Sequence, residues 1–108
     1  MSATHAGWFE HLRDGAPRLE SERLLLRVPE LADYPRFAEM FADPATHHIG
    51  GPLVRGDAWR RFLQMPGAWV IQGFGMFSVI EKASGLFMGQ AGHWFPDGWP
   101  DNEVGYAF

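Results

Sequence analysis

The sequence predicts an α+β domain in which one strand and two helices precede three consecutive strands. Three features predict this order: a β-prone run near the N-terminus, two stretches with apolar residues at helical spacing, and short apolar runs separated by turn residues in the last third of the chain. The predicted domain covers residues 19–108, and residues 1–18 form an N-terminal arm. Because strands joined by short turns pair antiparallel, we expect a mostly antiparallel sheet.

The first predicted strand is the run LESERLLLRV at residues 19–28, which ends before Pro29. A helix is predicted after Asp33, because an acidic N-cap residue and a proline in the first turn both favour a helix start. The apolar residues of this helix follow the i, i+3, i+4, i+7 spacing of one helical face: Tyr34, Phe37, Ala38 and Phe41. Asp43-Pro44 is expected to end it.

A loop is predicted at residues 45–56, where two glycines and a proline break regular structure. Asp57 is the predicted N-cap of a second helix. Apolar residues continue in phase across Pro66, which predicts one kinked helix. Gly73 is its predicted left-handed C-terminal cap.

Two strands are then predicted at residues 76–81 and 86–95, joined by the turn Lys82-Ala83-Ser84-Gly85. A loop at residues 96–102 leads into the last strand, residues 103–108. The three strands are consecutive along the chain, so the predicted order is β-α-α-β-β-β.

Composition excludes several classes of function. The net charge of −4 and the absence of a basic run argue against nucleic acid as a partner. The chain has no cysteine, which excludes disulfides, thiolate metal sites and a cysteine nucleophile. No apolar stretch reaches the length of a membrane span, and the N-terminus lacks the apolar core of a signal peptide. We therefore expect a cytoplasmic protein without a membrane partner.

Four segments in and beside the predicted strands carry a family resemblance. They are LESERLLLR at 19–27, GFGMFSV at 73–79, GLFMG at 85–89, and GWP at 98–100 with EVGY at 103–106. In this order they resemble the first half of the GNAT-type N-acetyltransferases, in the subgroup similar to RimJ and RimL. The resemblance implies acetyl-CoA as co-substrate and acetyl transfer to a primary amine of a protein N-terminus or a small molecule.

The family's glycine-rich loop, which binds the cofactor pyrophosphate at a helix start, would follow the strand at residues 103–108. The chain ends at Phe108, before that loop. We therefore expect the C-terminal half of the fold to be absent from these residues and the isolated chain to be catalytically inert.

Glu103 is the first candidate for chemistry. Alternation along a strand gives it the same face as Gly105 and Ala107, and the small residues leave an open channel beside the carboxylate. The resemblance implies that this channel takes the pantetheine arm, that Glu103 is a general base, and that Ala107 and Phe108 offer backbone groups to pantetheine and the thioester oxygen. The alternatives are a solvated glutamate at a strand start and ordinary sheet pairing.

A second group of candidates concerns the acceptor amine. His47 and His48 lie in the loop between the helices, which borders the acceptor side of the GNAT fold. They line the substrate or belong to a plain polar loop; no third ligand is evident for a metal, and none is predicted. His93, Trp94 and Trp99 either wall the acceptor pocket or pack in the core or at the sheet edge.

The sequence therefore predicts an N-acetyltransferase that uses acetyl-CoA. The alternative is a non-catalytic half-domain that binds a partner or a second copy of itself through the strand at residues 103–108. That strand is uncharged after Glu103 and lacks lysine and proline, so an unpaired edge there would favour self-association.

Overall fold

A computed structural model describes residues 10–11, 13–94, 97–98 and 103–107, the last group through its backbone. It contains an antiparallel sheet with the strand order β1-β2-β3-β4-β5. The strands are β1 Leu19–Glu20, β2 Leu24–Arg27, β3 Met76–Glu81, β4 Leu86–Trp94 and β5 Glu103–Ala107. The helices are α1 Tyr34–Ala42 and α2 Arg55–Gln72, with 3-10 helices at Leu31–Asp33 and Pro44–Ile49. The predicted α+β class with an antiparallel sheet is confirmed.

The predicted single strand at residues 19–28 is wrong in one respect, because the run folds back on itself. β1 and β2 form a hairpin in which Leu19 lies opposite Leu26. Ser21 closes the turn: its backbone N–H donates to Leu24 O at 2.9 Å, and its hydroxyl oxygen accepts from Leu24 N at 3.0 Å. Side-chain bonding of this kind competes with extended structure, so the serine divides the run.

Asp33 occupies the predicted N-cap position of α1, but its side chain accepts no hydrogen bond from the first turn of that helix. A 3-10 turn precedes the helix, and Asp33 is its last residue, only 3% exposed. The carboxylate accepts hydrogen bonds from Arg27 and from the Ser78 hydroxyl, and it also accepts from the backbone N–H of Glu30 at 2.9 Å. The residue thus joins β2, the turn and β3.

The core lies between one face of the sheet and the two helices. The predicted stripe of α1 is confirmed, since all four of its apolar residues are buried. Phe37 contacts Phe62 of α2 with ring centroids 5.3 Å apart, and it contacts Phe87 of β4 at 6.4 Å. Each fully buried phenylalanine contributes about 1.5–3 kcal/mol from burial, so this aromatic cluster holds the helices on the sheet.

The second helix begins at Arg55 with Val54 as its N-cap, so the predicted cap at Asp57 is wrong and that residue lies in the first turn. The prediction of one helix continuing through Pro66 is confirmed. Gly73 ends it with φ of 82°, in the left-handed region that favours glycine, as predicted. Just before this end, the indole N–H of Trp69 donates to Met76 O at 2.9 Å and ties the helix to β3.

The C-terminal strands follow the prediction closely. β3 has the predicted bounds, the turn ends at Gly85 with φ of 72°, and β4 extends to Trp94. The strand predicted at residues 103–108 is present as β5, and Phe95 and Phe108 lie outside the described residues. Within the described part of the chain, no helix is long and apolar enough to cross a membrane.

We predict that Asp33→Ala destabilises the fold by about 3 kcal/mol, the lower end of the range for a broken buried ion pair, because the half-buried Arg27 guanidinium keeps only its second carboxylate, Glu30. Thermal or denaturant unfolding measures the change. The control is Asp57→Ala, which removes an exposed ion pair with Arg60 and should cost at most about 1 kcal/mol. Equal effects of the two substitutions would contradict the structural role of Asp33.

We predict opposite effects of alanine at two glycines of the second helix. Gly73→Ala should cost about 1 to 2 kcal/mol, since the left-handed conformation is strained for alanine. Gly67→Ala should stabilise by about 0.5 to 1 kcal/mol, because Gly67 is within the helix and a Cβ there meets no atom within 4 Å. Unfolding midpoints decide the signs, and a loss of stability at both positions would refute this account of the cap.

Candidate functional site

The last two strands carry most of the residues that the sequence singles out. β5 pairs with β4 so that Glu103 lies opposite Trp94 and Ala107 lies opposite Gln90. Directly opposed residues of an antiparallel pair belong to the same face of the sheet. The register therefore defines a row of residues on one face, running along β5 from Glu103 to Ala107.

This row belongs to the face that the two helices cover. Gln90 lies opposite Ser78 of β3, and Gly92 lies opposite Met76, which is part of the core beneath the helices. Because the row on β5 continues this face, Glu103 is placed on the side of the sheet that borders α1 and α2. The residues that strand alternation predicts to share a face thus belong to the face that borders the helices.

The aromatic and histidine candidates near this row divide between the two faces. His93 is exposed and lies opposite Val104, whereas Trp94 lies opposite Glu103. Successive residues of a strand point to opposite faces, so Trp94 shares the face of Glu103 and His93 belongs to the other. Trp99 and Phe108 lie outside the described residues.

The two candidate histidines of the α1–α2 connection lie in the 3-10 helix Pro44–Ile49, where the sequence predicted a loop. The side chain of His47 is exposed. The segment is anchored at both ends: the Thr46 hydroxyl donates to Asp43 O at 2.6 Å, and Leu53 N donates to Phe41 O at 2.6 Å. The structure thus fixes the connection against the end of α1. Among the described residues, no group of three histidine or acidic side chains could hold a metal ion.

Arg61 of α2 is a residue of this region that sequence reasoning missed. Its guanidinium carbon lies 4.8 Å from the ring centroid of Phe41, a cation–π contact. A Cβ at Gly50 would collide with the same guanidinium, so the glycine makes room for it. Burial lowers the pKa of Arg61 from its ordinary value. No spacing in the sequence distinguishes this arginine from its neighbours in α2.

A buried polar cluster adjoins the row on β4 and β5. Arg27 donates to the two oxygens of Asp33 at 2.9 and 2.8 Å, and the Ser78 hydroxyl donates to Asp33 at 2.7 Å. Burial opposes the charge of Arg27, but hydrogen bonding and attraction from Asp33, with a further attraction from Glu30, raise its pKa above the ordinary value. This cluster is fully paired, and it ends at Ser78, opposite Gln90.

Gln90 is different from this cluster. It is only 8% exposed, and its side-chain oxygen has no hydrogen-bond partner among the described residues. A buried carbonyl oxygen without a donor is rare in folded proteins. No motif in the sequence singles out this glutamine, because its surroundings depend on the register of β4 with its two neighbours.

A pocket of about 510 Å³ opens elsewhere, between the N-terminal segment and the C-terminal half of α2. Its walls include Arg13, Pro17, Val28, Pro66 and Trp69. Arg13 forms ion pairs with Asp14 and Glu30. Among the residues whose side chains the structure describes, no predicted site residue lines this pocket.

A protein-family model matches most of the chain. The model of the acetyltransferase (GNAT) domain family matches residues 23–108. Among curated proteins, no sequence matches the chain significantly.

Two solved structures are similar over most of the chain. An acetyltransferase from Agrobacterium tumefaciens strain C58 matches with a TM-score of 0.77 and 29% identity, over 86% of this chain and 54% of that one. A GnaT-family acetyltransferase from Bordetella pertussis matches with a TM-score of 0.69 and 24% identity, over 83% of this chain and 58% of that one. The chain thus spans a little over half the length of each. Since the family model covers residues 23–108, with all of β2 to β5 and both α-helices, the chain belongs to the GNAT acetyltransferase family.

Proposed function

We propose that the described face of β4 and β5 is part of an active site that transfers an acetyl group from acetyl-CoA to a primary amine. The observation that supports this most directly is the register that gives Glu103 and Ala107 the same face, bordered by α1 and α2. Because the chain spans 54% and 58% of the two solved acetyltransferases, the activity proposed is that of a complete domain.

The proposed reaction is a direct attack without an acyl-enzyme. The neutral amine nitrogen bonds to the thioester carbonyl carbon, the carbon–sulfur bond breaks, and the CoA thiolate leaves and takes up the proton that the attacking nitrogen releases. An ammonium ion must lose its proton before it attacks, and Glu103 is proposed to accept that proton through water. The absence of cysteine from the sequence is compatible with this route.

The backbone of β5 is proposed to hold the cofactor arm. β5 is the last strand in the order of the described sheet, so one side of it has no strand partner among the described residues. Backbone N–H groups near Ala107 and Phe108 would then be available to the pantetheine arm and the thioester oxygen. Donors placed at that oxygen stabilise the negative charge that develops during attack.

The acceptor amine is proposed to enter from the side of the α1–α2 connection. His47 and His48 lie in that connection, and Trp94 shares the face of Glu103. Trp99 stays a candidate for the rim of this site, and His93 stays one only at the end of β4, because its strand position belongs to the other face. We further propose that the domain belongs to the subgroup similar to RimJ and RimL, that it acts on a protein N-terminus or a small amine, and that it is cytoplasmic.

We predict that Glu103→Gln lowers turnover at neutral pH by about 10²- to 10⁴-fold in a chain with a complete GNAT domain, because the proton acceptor is lost while the shape is kept. CoA binding by isothermal titration should change little. Steady-state acetylation of a peptide with a free N-terminus measures the rate. Glu22→Gln is the control, since Glu22 is exposed in the β1–β2 turn. A loss under roughly threefold at Glu103 would leave it a structural residue.

A second candidate function is self-association through the same edge strand. β5 ends the order of the described sheet, and an uncovered edge pairs readily with another chain. The opposite edge is protected, because β1 has two residues and Glu20 forms an ion pair with Lys82. The proposed occupant is therefore β5 of a second copy.

We predict that Tyr106→Lys shifts the 108-residue chain from dimer toward monomer, because a lysine on an edge strand disfavours pairing. Light scattering at micromolar concentration measures the mass. Leu19→Lys places the same charge on the other edge and should leave the mass unchanged. A cooperatively melting monomer without any substitution would refute self-association, and binding of CoA by that monomer would favour the enzymatic proposal.

A further inference from the structure

The Gln90 side chain has an unusual environment for a buried amide. Its oxygen has no hydrogen-bond partner among the described residues, although the residue is 8% exposed. The neighbouring strands explain why. On β3 the opposing residue is Ser78, whose hydroxyl hydrogen is already donated to Asp33 at 2.7 Å. On β5 the opposing residue is Ala107, which has no polar side-chain group.

A hydroxyl has a single hydrogen to donate, so Ser78 cannot serve Asp33 and Gln90 at once. The pairing with Asp33 is fixed further by Arg27, which holds the same carboxylate. No rearrangement within this cluster can supply the donor that Gln90 lacks without removing one from Asp33. The oxygen is therefore left for a group that the described chain does not contain.

The position of Gln90 in the sheet indicates which group its side-chain oxygen binds. Gln90 lies directly opposite Ala107, the residue proposed to lie beside the thioester, and it shares the sheet face of Glu103. Glu103 lies four residues before Ala107 along β5, which corresponds to roughly 13 Å at the usual rise per residue. An amine that attacks at Ala107 is thus close to Gln90, and its proton reaches Glu103 through a chain of waters.

We propose that Gln90 is a positioning residue whose side-chain oxygen accepts a hydrogen bond from the nitrogen of the acceptor amine. The inference rests on the proposed function and adds the group that orients its nucleophile. A neutral oxygen suits this role better than a carboxylate. A negative charge next to the amine would stabilise its protonated form, which cannot attack, whereas an amide oxygen orients the nitrogen without holding the proton on it.

The stability of the folded protein depends on whether the Gln90 oxygen has a hydrogen-bond partner. An unsatisfied buried carbonyl lowers the folding equilibrium constant by about 5- to 150-fold. Gln90→Met keeps the length of the side chain and removes the oxygen, so it should raise the unfolding midpoint. Ser78→Ala is the matched control on the opposing strand and should lower the midpoint, because the Ser78 hydroxyl is paired. A Gln90→Met protein less stable than the parent would show that the amide is satisfied, and it would overturn the inference.

Kinetics of the protein with its complete acetyltransferase domain give the second arm, with a free N-terminal peptide as acceptor. Gln90→Met should raise the KM for the peptide by roughly 2- to 12-fold, the effect of losing one hydrogen bond between neutral groups, while the KM for acetyl-CoA stays within about twofold. Gln90→Glu should retain an oxygen but shift the rise of the pH–rate profile to higher pH, since the added carboxylate raises the pKa of the amine. A merely structural glutamine would move neither the KM ratio nor the pH profile, and that result would overturn the proposal.

The outcomes separate this inference from the proposed function. If the unmodified protein neither binds CoA nor acetylates the peptide, the proposed function fails, and the Gln90 inference fails with it. If the unmodified protein is active and Gln90→Met is equally active with an unchanged KM for the peptide, the inference alone fails.

Discussion

The Asp33 carboxylate ties two strands of the sheet to the start of the first helix, and the packing of that helix on the sheet depends on this link. It accepts hydrogen bonds from the Arg27 guanidinium on β2, from the Ser78 hydroxyl on β3, and from the backbone of the turn before α1. A buried carboxylate is stable when all its lone pairs are occupied in this way. Two strands and one helix are therefore held by a single side chain. The aromatic face of α1 can then bury itself on β3 and β4.

That arrangement also orders the polar residues across the sheet. Arg27, Ser78 and Gln90 occupy opposed positions on three adjacent strands, and Ala107 continues the line onto β5. The first two members are paired through Asp33, and the third is not. The polar positions on the buried face thus run from the ion pair of Arg27 with Asp33 to β5, the strand proposed to hold the thioester. A change at Asp33 would be felt along this line, because it frees the Ser78 hydroxyl.

Much of the fold could be predicted because local signals agree with the packed structure. The i, i+3, i+4, i+7 stripe of α1 is buried as a unit, β3 has the predicted bounds, and Gly73 adopts the predicted left-handed conformation. The errors occur at Ser21, Asp33 and Asp57, residues with short polar side chains. Such side chains can cap a helix, close a turn or bind a distant group, and tertiary contacts decide among these uses. Sequence alone favours a helix-capping side chain at Asp33, which does occupy the N-cap position, but its carboxylate binds Arg27 and Ser78 instead.

The candidate site, like the fold, follows partly from local sequence and partly from the pairing of distant strands. The grouping of Glu103 with Ala107 follows from alternation within one strand and needs no partner. Which face they occupy, and that Gln90 is their neighbour, depends on the registers of β3 with β4 and of β4 with β5. A shift of one residue between β3 and β4 would move Gln90 to the other face, and a shift between β4 and β5 would separate it from Ala107. The role proposed for the glutamine therefore depends on three strands together. For this reason it follows from a buried oxygen without a partner among the described residues, and from no motif within β4.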